Sequence, residues 1–190
     1  CFHIEQTEEE FKGVKIEVEG ISSKTWGTFK NRFLFLKEKY LKYTWNTGNE
    51  VLYDSKMAGR IFSKGIYVCT DKRFKYGYNL ALLDIDRDRK MANAGLTGFV
   101  WETWQGAVAK DPTLVPLLYN LLLDETEDTS IVRWSSWFNL ECRKALAKEF
   151  ILRHGEEAVP VFSALAQKEL EHFSARSIVV PPGLHKVLEV

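Results

Sequence analysis

The sequence lacks a cysteine framework, an excess of one charge and a long apolar run. Its three cysteines, Cys1, Cys69 and Cys142, form no CxxC pair, which argues against disulfide cross-links and a structural zinc site. Lysine plus arginine equal aspartate plus glutamate at 26 each, so no global field attracts nucleic acid or an anionic membrane. The longest apolar runs are too short to span a bilayer. We therefore expect an intracellular protein, cytoplasmic or nuclear, with no membrane partner.

Motifs of self-contained enzymes are also missing. The sequence has no GxxxxGK[ST] phosphate loop, no GxGxxG, no GxSxG and no HExxH. The histidines are scattered, and capping or solvated roles are expected for three of the four. The four histidines are His3, His154, His172 and His185. We assign no metal site and no cofactor to this chain, and we expect no catalytic activity from it in isolation.

Residues 1–95 combine strand and helix patterns. VKIEVEG, at 14–20, alternates apolar and polar residues as a half-buried strand does. Aromatic residues within 24–43 fall three and four apart, which is the spacing of one helical face. VLYD, GRIFSKGIYVC and FKYGYNLALLDID predict three further strands, the second interrupted at Gly65 and the third covering 78–83.

From residue 96 the pattern is helical at first and then alternates helices with short strands. Asp111 and Pro112 are placed as the cap and first residue of a helix. The acidic stretch DETEDTS, 124–130, is predicted to be a solvated loop and a domain boundary. A long amphipathic helix with an inward apolar face follows. That face comprises Phe138, Cys142, Leu146, Phe150 and Leu152.

The strands AVPVFS and SIVV, each followed by a helix, complete the pattern and predict a small parallel α/β layer. The sequence therefore predicts an α+β protein with three units. Residues 1–95 form an α+β domain, 96–135 a helical connector, and 136–190 a small α/β module.

Two segments of the first unit, FSKGIYV and YNLALLDIDRDRKM, resemble the GHKL ATPase superfamily, which includes gyrase B and the large heat-shock chaperones. In those chaperones a YVRG-like strand leads to an LPLNISRE-like loop, whose arginine reaches the γ-phosphate of ATP in the preceding domain. AVPVFS and SIVVPPGL are similar to later segments of large GHKL proteins. The resemblance covers 14–90 and, more weakly, 155–190. It implies a β-α-β transducer domain of the ribosomal-protein type.

The resemblance also implies a function, which is to couple ATP binding and hydrolysis in a separate domain to conformational change. The superfamily's ATP site requires a helix with a catalytic Glu and a magnesium-binding Asn, a DxGxG-type loop and a glycine-rich lid. This sequence contains none of them. ATP and magnesium would therefore be bound by an ATP-binding domain on the amino-terminal side of this chain. A second copy of the chain is a further possible partner.

Under this resemblance the charge cluster DIDRDRK, residues 84–90, becomes the γ-phosphate sensor. In an extended segment Arg87 and Arg89 share one face, and Asp86 and Asp88 share the other. Arginine stays ionised and presents planar donors to a phosphate that gains negative charge. The alternative is a solvated strand end whose ion pairs are worth roughly 0–1 kcal/mol each.

Lys64 is the second sensor candidate, because Gly65 lets the backbone turn and approach a neighbouring domain closely. Its alternative role is to protect an edge strand from aggregation. Arg60, which follows Gly59, has the same two interpretations.

A second function class remains open, a nucleic-acid-binding or protein-interaction module with no link to ATP. Its nucleic-acid form depends on residues 24–43, where basic residues alternate with aromatics. These are Lys24, Lys30, Arg32, Lys37, Lys39 and Lys42. Such a pattern suits a nucleic-acid-binding surface. It also suits an amphipathic helix with an aromatic core face and a lysine-rich solvent face, and this second interpretation is favoured.

Overall fold

Helices and strands are both present in the computed structural model, which describes residues 20–36, 42–44, 48–83, 95–135, 137–171 and 176–189. The α+β class predicted from the sequence is confirmed. The helices are α1 (Ser23–Lys30), α2 (Leu96–Lys110), α3 (Val115–Leu123), α4 (Leu140–His154), α5 (Ala164–Glu171) and α6 (Pro182–Leu188). The strands are β1 (Tyr43–Thr44), β2 (Glu50–Leu52), β3 (Arg60–Ser63), β4 (Ile66–Thr70), β5 (Gly77–Asn79), β6 (Ala158–Val161) and β7 (Arg176–Val179).

Five of these strands form one mixed sheet in the order β1-β2-β5-β3-β4. Neighbours are antiparallel except β3 and β5, which run parallel with Ile61 opposite Tyr78. Strand β5 is therefore central, and its Tyr78 is fully buried. Gly77 is required at its start, because a Cβ there would lie 2.4 Å from the carbonyl oxygen of Met57.

Two strand predictions in this region need correction. GRIFSKGIYVC is a hairpin of β3 and β4 rather than one interrupted strand, because Lys64 and Gly65 both have positive φ and reverse the chain. The strand predicted over 78–83 ends at Asn79, and residues 81–82 form a turn. Residues 14–19 and the charge cluster 84–90 lie outside the described residues.

The helix predicted over 24–43 is also shorter than expected, and its aromatic face is not in the core. Helix α1 ends at Lys30, it contains no buried residue, and a single 3-10 turn follows at Leu34–Leu36. Among the residues of this segment whose burial is described, only Leu34 is buried, in a small cluster with Leu52, Met57 and Phe62. The favoured interpretation of an aromatic core face was therefore wrong for the described part of this helix.

The main hydrophobic core joins the sheet to the helices. One cluster includes Val51 and Tyr78 from the sheet, Trp104 from α2, Leu146 from α4 and Leu184 from α6. Among the described helices, none is both long and apolar enough to cross a membrane. The core thus contains residues from all three units predicted from the sequence, although their boundaries as independently folding units remain a prediction.

Two predictions about the carboxy-terminal half were wrong about which side chains are buried. The acidic 124–130 stretch is not a solvated loop throughout. A 3-10 helix, Glu127–Arg133, begins within it, and Asp128 in this helix is fully buried. On α4, Cys142, Leu146 and Phe150 are buried as predicted, but Leu152 is 79% exposed. Leu152 lies two residues beyond Phe150, and this offset turns it away from the helical face that Phe150 occupies.

The predicted small parallel layer is present. Strands β6 and β7 pair in parallel from Ala158 opposite Arg176 to Val161 opposite Val179, with α5 between them in the chain. Gly155 follows α4 with a φ of 94°, as expected for a residue that ends a helix. Asp111 also caps as predicted, accepting a hydrogen bond from the backbone nitrogen of Thr113 at 3.0 Å.

Candidate functional site

The β3–β4 turn presents Lys64 to solvent. Ser63 pairs with Ile66 across the hairpin, so Lys64 and Gly65 form a two-residue turn. Their φ angles are 50° and 80°, which is the positive-φ pattern of the type I′ hairpin turn. Glycine and asparagine adopt this conformation readily, whereas lysine does so at an energetic cost. An exposed lysine at such a position provides a mobile cation on a fixed backbone.

The same turn is fastened to the end of β5. The Gly65 backbone nitrogen donates a hydrogen bond to Asn79 Oδ1 at 2.7 Å, and Asn79 Nδ2 donates to Glu50 Oε2 at 2.8 Å. Glu50 is buried on β2 and also pairs with Lys42. Asn79 therefore uses both ends of its amide to connect the turn to the neighbouring strand.

A further pair of hydrogen bonds joins β3 to the chain beyond β5. The Leu80 backbone nitrogen donates to the Phe62 carbonyl oxygen at 2.9 Å, and the Ser63 hydroxyl donates to the Leu83 carbonyl oxygen at 3.0 Å. Leu80 and Leu83 are both buried. Ser63 directly precedes Lys64, and Leu83 directly precedes Asp84. The turn therefore lies beside Leu83, the last described residue before the charge cluster.

The three sensor candidates are only partly placed by the structure. Lys64 lies at the tip of the hairpin, whereas Arg87 and Arg89 lie outside the described residues. We call Ser63, Lys64, Gly65, Asn79 and Leu83 the hairpin-tip site. What this site offers chemically is one exposed ammonium group, beside the point where an arginine-containing segment begins.

Asn49 packs against the same end of β5 and has an unused donor. Its Oδ1 accepts a hydrogen bond from the Ala81 backbone nitrogen at 2.8 Å. Its Nδ2 is buried and has no hydrogen-bond partner within the described part of the chain. A buried amide without a partner costs about 1–3 kcal/mol. Such a cost is often tolerated at functional positions.

Arg60, the weaker basic candidate, is occupied by packing. Its guanidinium lies 5.2 Å from the ring centroids of both Phe62 and Tyr67. Its Nη2 donates to the Asn31 carbonyl oxygen at 2.6 Å. Burial lowers the pKa of Arg60, although the nearby Tyr67 acts in the opposite direction. These contacts fasten the end of α1 to the hairpin, and they favour a structural role for Arg60.

Sequence reasoning missed a polar cluster beneath β5. Tyr78 donates its hydroxyl hydrogen to Asp128 and accepts a hydrogen bond from Trp104 Nε1 at 2.8 Å. Burial and the neighbouring Asp128 charge raise the pKa of Tyr78 well above its ordinary value. The signal in the sequence was weak, because Asp128 is one of four acids in a stretch that resembles a solvated loop.

The described histidines and cysteines do not belong to a metal-binding cluster. Within the described ranges, no three His, Cys, Asp or Glu side chains are arranged to hold a metal ion. His154 lies 3.4 Å from the Tyr119 hydroxyl, and its pKa is lowered by burial and then by Arg153 and Arg176. Burial raises the pKa of Cys142 to about 12, which keeps this thiol protonated.

Comparison with known proteins gave no match, whether to a protein family, to a curated protein or to a solved structure. The similarity to GHKL ATPases therefore depends only on the sequence segments quoted above. The description of the fold and of the hairpin-tip site depends only on this structure.

Proposed function

We propose that this chain is a non-catalytic transducer of a GHKL-type ATPase. In this role it couples ATP binding and hydrolysis in a preceding domain to conformational change in a partner. Lys64 and the segment that contains Arg87 and Arg89 together sense the γ-phosphate. ATP and magnesium are held by the other domain, and this chain contributes positive charge from one side.

One observation supports the proposal most directly, the hydrogen bond from Ser63 to the Leu83 carbonyl oxygen. In the sequence, the segments FSKGIYV and YNLALLDIDRDRKM are related only by their resemblance to one superfamily. This hydrogen bond is a direct contact between them. Nineteen residues separate Ser63 from Leu83 in the chain, yet the bond is buried. The Lys64 turn lies next to Leu83, from which the sequence continues into the arginine-containing segment. Cations from two such segments suit a site that receives an anion from another domain.

The position of the hairpin-tip site in the sheet supports its coupling to the core of the protein. Strand β5 is paired on both sides and contributes the buried Tyr78 to the main core. A displacement of the chain after Leu83 would therefore act on a central strand rather than on a free loop. Packed cores respond to such displacements by switching between discrete arrangements. The hairpin-tip site thus has a mechanical connection to α2 and to the 127–133 helix.

The experiment is to measure ATP turnover of the longer protein with Arg87→Ala, Arg89→Ala and Lys64→Ala. Loss of a charge-assisted contact to a developing phosphate charge costs on the order of 3 kcal/mol in the transition state, or about a hundredfold in rate. We expect this loss for at least one arginine and a smaller loss for Lys64. Melting temperatures should change little.

Two exposed residues away from the site serve as controls. Arg133→Ala removes a surface ion pair with Glu125, and Lys72→Ala removes an exposed lysine on the loop after β4. Both should leave turnover unchanged. Wild-type turnover in all three site variants would refute the proposal. A large fall in the melting temperature of both arginine variants would instead assign them to a structural ion-pair network.

A further inference from the structure

Four aromatic side chains form a continuous row along α1 and the turn that follows it. The ring centroids of Trp26 and Phe29 are 5.6 Å apart, those of Phe29 and Phe33 are 4.9 Å apart, and those of Phe33 and Phe35 are 5.3 Å apart. We call these four residues the aromatic ladder. The contacts between successive rings fix their relative positions, so the ladder is a preformed surface rather than a set of independent side chains.

The ladder is open to solvent to an unusual degree. Trp26 and Phe29 are each 45% exposed, and Phe35 is 71% exposed. Single exposed apolar residues are ordinary on protein surfaces, but a contiguous row of large ones marks an interaction site. Helix α1 contains no buried residue. Its aromatic spacing therefore does not serve the core of the described chain.

A cleft runs along one side of the ladder. It has a volume of about 300 Å³. Its walls come from the ladder and from the edge strand β4, and they consist of Phe29, Arg32, Phe33, Ile66, Tyr67 and Val68. An isolated antiparallel bridge joins two of these lining residues, Phe33 and Ile66. The cleft thus combines flat aromatic walls with one exposed guanidinium group.

Positive charge is concentrated around this cleft, although the whole chain has no net charge. Residues 20–36 and 60–70 contain Lys24, Lys30, Arg32, Arg60 and Lys64, and they contain no aspartate or glutamate. Within the described ranges, Lys24, Lys30 and Arg32 form no ion pair and are exposed. Their charges are available to a polyanion.

We propose that the aromatic ladder and its cleft bind single-stranded nucleic acid without sequence preference. Unpaired bases stack on the rings of Trp26, Phe29 and Phe35, while the surrounding cations contact the phosphates. This combination of stacking surfaces and a positively charged groove is how single strands are bound without base readout. In a duplex the faces of the bases are already stacked on one another, so the ladder selects single strands. The proposal does not depend on ATP coupling.

The position of Arg32 favours a nucleic acid over a lipid membrane as the binding partner of the ladder. A helix that lies on a membrane places its rings on one face and its cations on the opposite face. Here Arg32 shares the cleft with Phe29 and Phe33. Phosphates and bases alternate along a nucleic-acid strand, and this alternation matches a cleft in which cations and rings are mixed.

The test is fluorescence anisotropy with a labelled 20-nucleotide oligothymidylate, measured across a salt series with the full chain. We expect binding at low salt and a slope of log affinity against log salt of roughly −2 to −3, for about three to four phosphate contacts. Phe29→Ala should weaken binding roughly fivefold to a hundredfold through the loss of stacking. Arg32→Ala should make the slope shallower by about 0.7.

Matched controls exist on other surfaces of the chain. Trp134 is 82% exposed and lies outside the ladder, and Lys144 is an exposed lysine on α4. Trp134→Ala and Lys144→Ala should leave affinity and slope unchanged. Phe35→Ala is the second ladder variant, chosen because its 71% exposure makes misfolding improbable, and circular dichroism checks all variants.

Three results would overturn the proposal. The first is the absence of oligothymidylate binding at low salt. The second is equal or tighter binding of a 20-base-pair duplex, or equal weakening by Trp134→Ala. The third is binding to phosphatidylserine vesicles without binding to the oligonucleotide, which would assign the ladder to a membrane surface.

Discussion

Tyr78 in the central strand donates its hydroxyl hydrogen to Asp128, which lies 50 residues further along the chain. Both side chains are fully buried. The same carboxylate accepts hydrogen bonds from the backbone nitrogens of Lys75 at 2.8 Å and Tyr76 at 3.3 Å. A buried charge is tolerated when several donors satisfy it. The pair therefore holds the 127–133 helix against the start of β5.

Asp128→Ala should destabilise the chain far more than Asp124→Ala does. Removing Asp128 leaves the buried Tyr78 hydroxyl and two part-buried backbone nitrogens without their acceptor. The expected cost is about 3 kcal/mol in the free energy of unfolding. Asp124 pairs with Lys75 on the surface, where both side chains are about half exposed, and such a pair contributes less than about 1 kcal/mol. Urea titration of the two variants measures the difference. Equal destabilisation would mean that Asp128 has no special role in the core.

Alkaline pH should destabilise the protein through Tyr78. The pKa of Tyr78 is raised in the folded state, first by burial and then by the Asp128 charge. A raised folded-state pKa means that the folded protein retains this proton while the unfolded chain loses it near its ordinary value of about 10. The contribution to stability is therefore complete below pH 10 and declines as the pH rises further.

The measurement is the midpoint of urea unfolding between pH 8 and pH 11, with Tyr78→Phe as the comparison. The variant is less stable at pH 8, but it should lose less stability than the wild type does as the pH rises. If the unfolding midpoints of the two proteins fall in parallel as the pH rises, groups other than Tyr78 cause the loss of stability at alkaline pH.

The elements with a strong local pattern were predictable from the sequence. The strand β2, the helices α2 to α6 and the parallel pair of β6 and β7 all correspond to predicted segments. Asp111 caps where the sequence placed it, because an aspartate before a proline satisfies a free backbone nitrogen locally. These features depend on interactions between residues that are close in the chain.

The remaining features depend on contacts between distant residues. Asp128 is buried because β5 supplies donors to it, and nothing within DETEDTS distinguishes it from the neighbouring acids. The end of α1 at Lys30 depends on the Phe33–Ile66 bridge and on Arg60, which lies 29 residues from its acceptor Asn31. Lys64 was a candidate from the sequence and its role stays a prediction, whereas the proximity of its turn to Leu83 could be seen only in the folded sheet.

Substitution of two glycines by alanine should have opposite effects. Gly77→Ala places a Cβ 2.4 Å from the Met57 carbonyl oxygen, so the central strand or the Ser55–Met57 turn must shift. We expect a loss of about 2–4 kcal/mol. Gly98 lies in α2 with nothing within 4 Å of the corresponding position. Gly98→Ala should therefore stabilise the protein by roughly 0.5–1 kcal/mol.

Thermal and urea unfolding of both variants tests the pair. A tolerated Gly77→Ala, with less than about 0.5 kcal/mol of change, would contradict the close approach of β5 to Met57. Gly98→Ala is the reference variant, because it shows the effect of alanine's higher helix propensity on stability without a steric clash.

Cys142 should be inert to alkylation in the folded protein and reactive once the protein unfolds. Its pKa of about 12 leaves almost no thiolate at pH 8, and its side chain is buried between α4 and the core. Cys69 is partly exposed, and its pKa is raised by burial and by Asp71. Iodoacetamide labelling followed by peptide mapping should therefore modify Cys69 before Cys142. Labelling of Cys142 as fast as Cys69 in native buffer would show that α4 opens locally.

The most direct test of the proposed phosphate sensing is a double-mutant cycle on ATP turnover, measured in the GHKL-type ATPase to which we propose that this chain belongs. Lys64→Ala is combined in turn with Arg87→Ala and Arg89→Ala. If Lys64 and an arginine contact one phosphate from adjacent segments, the effects on the activation free energy are not additive. We expect a coupling energy of roughly 0.5–3 kcal/mol for at least one arginine. Additive effects for both pairs, or turnover unaffected by any single variant, would contradict a shared γ-phosphate site at the hairpin tip.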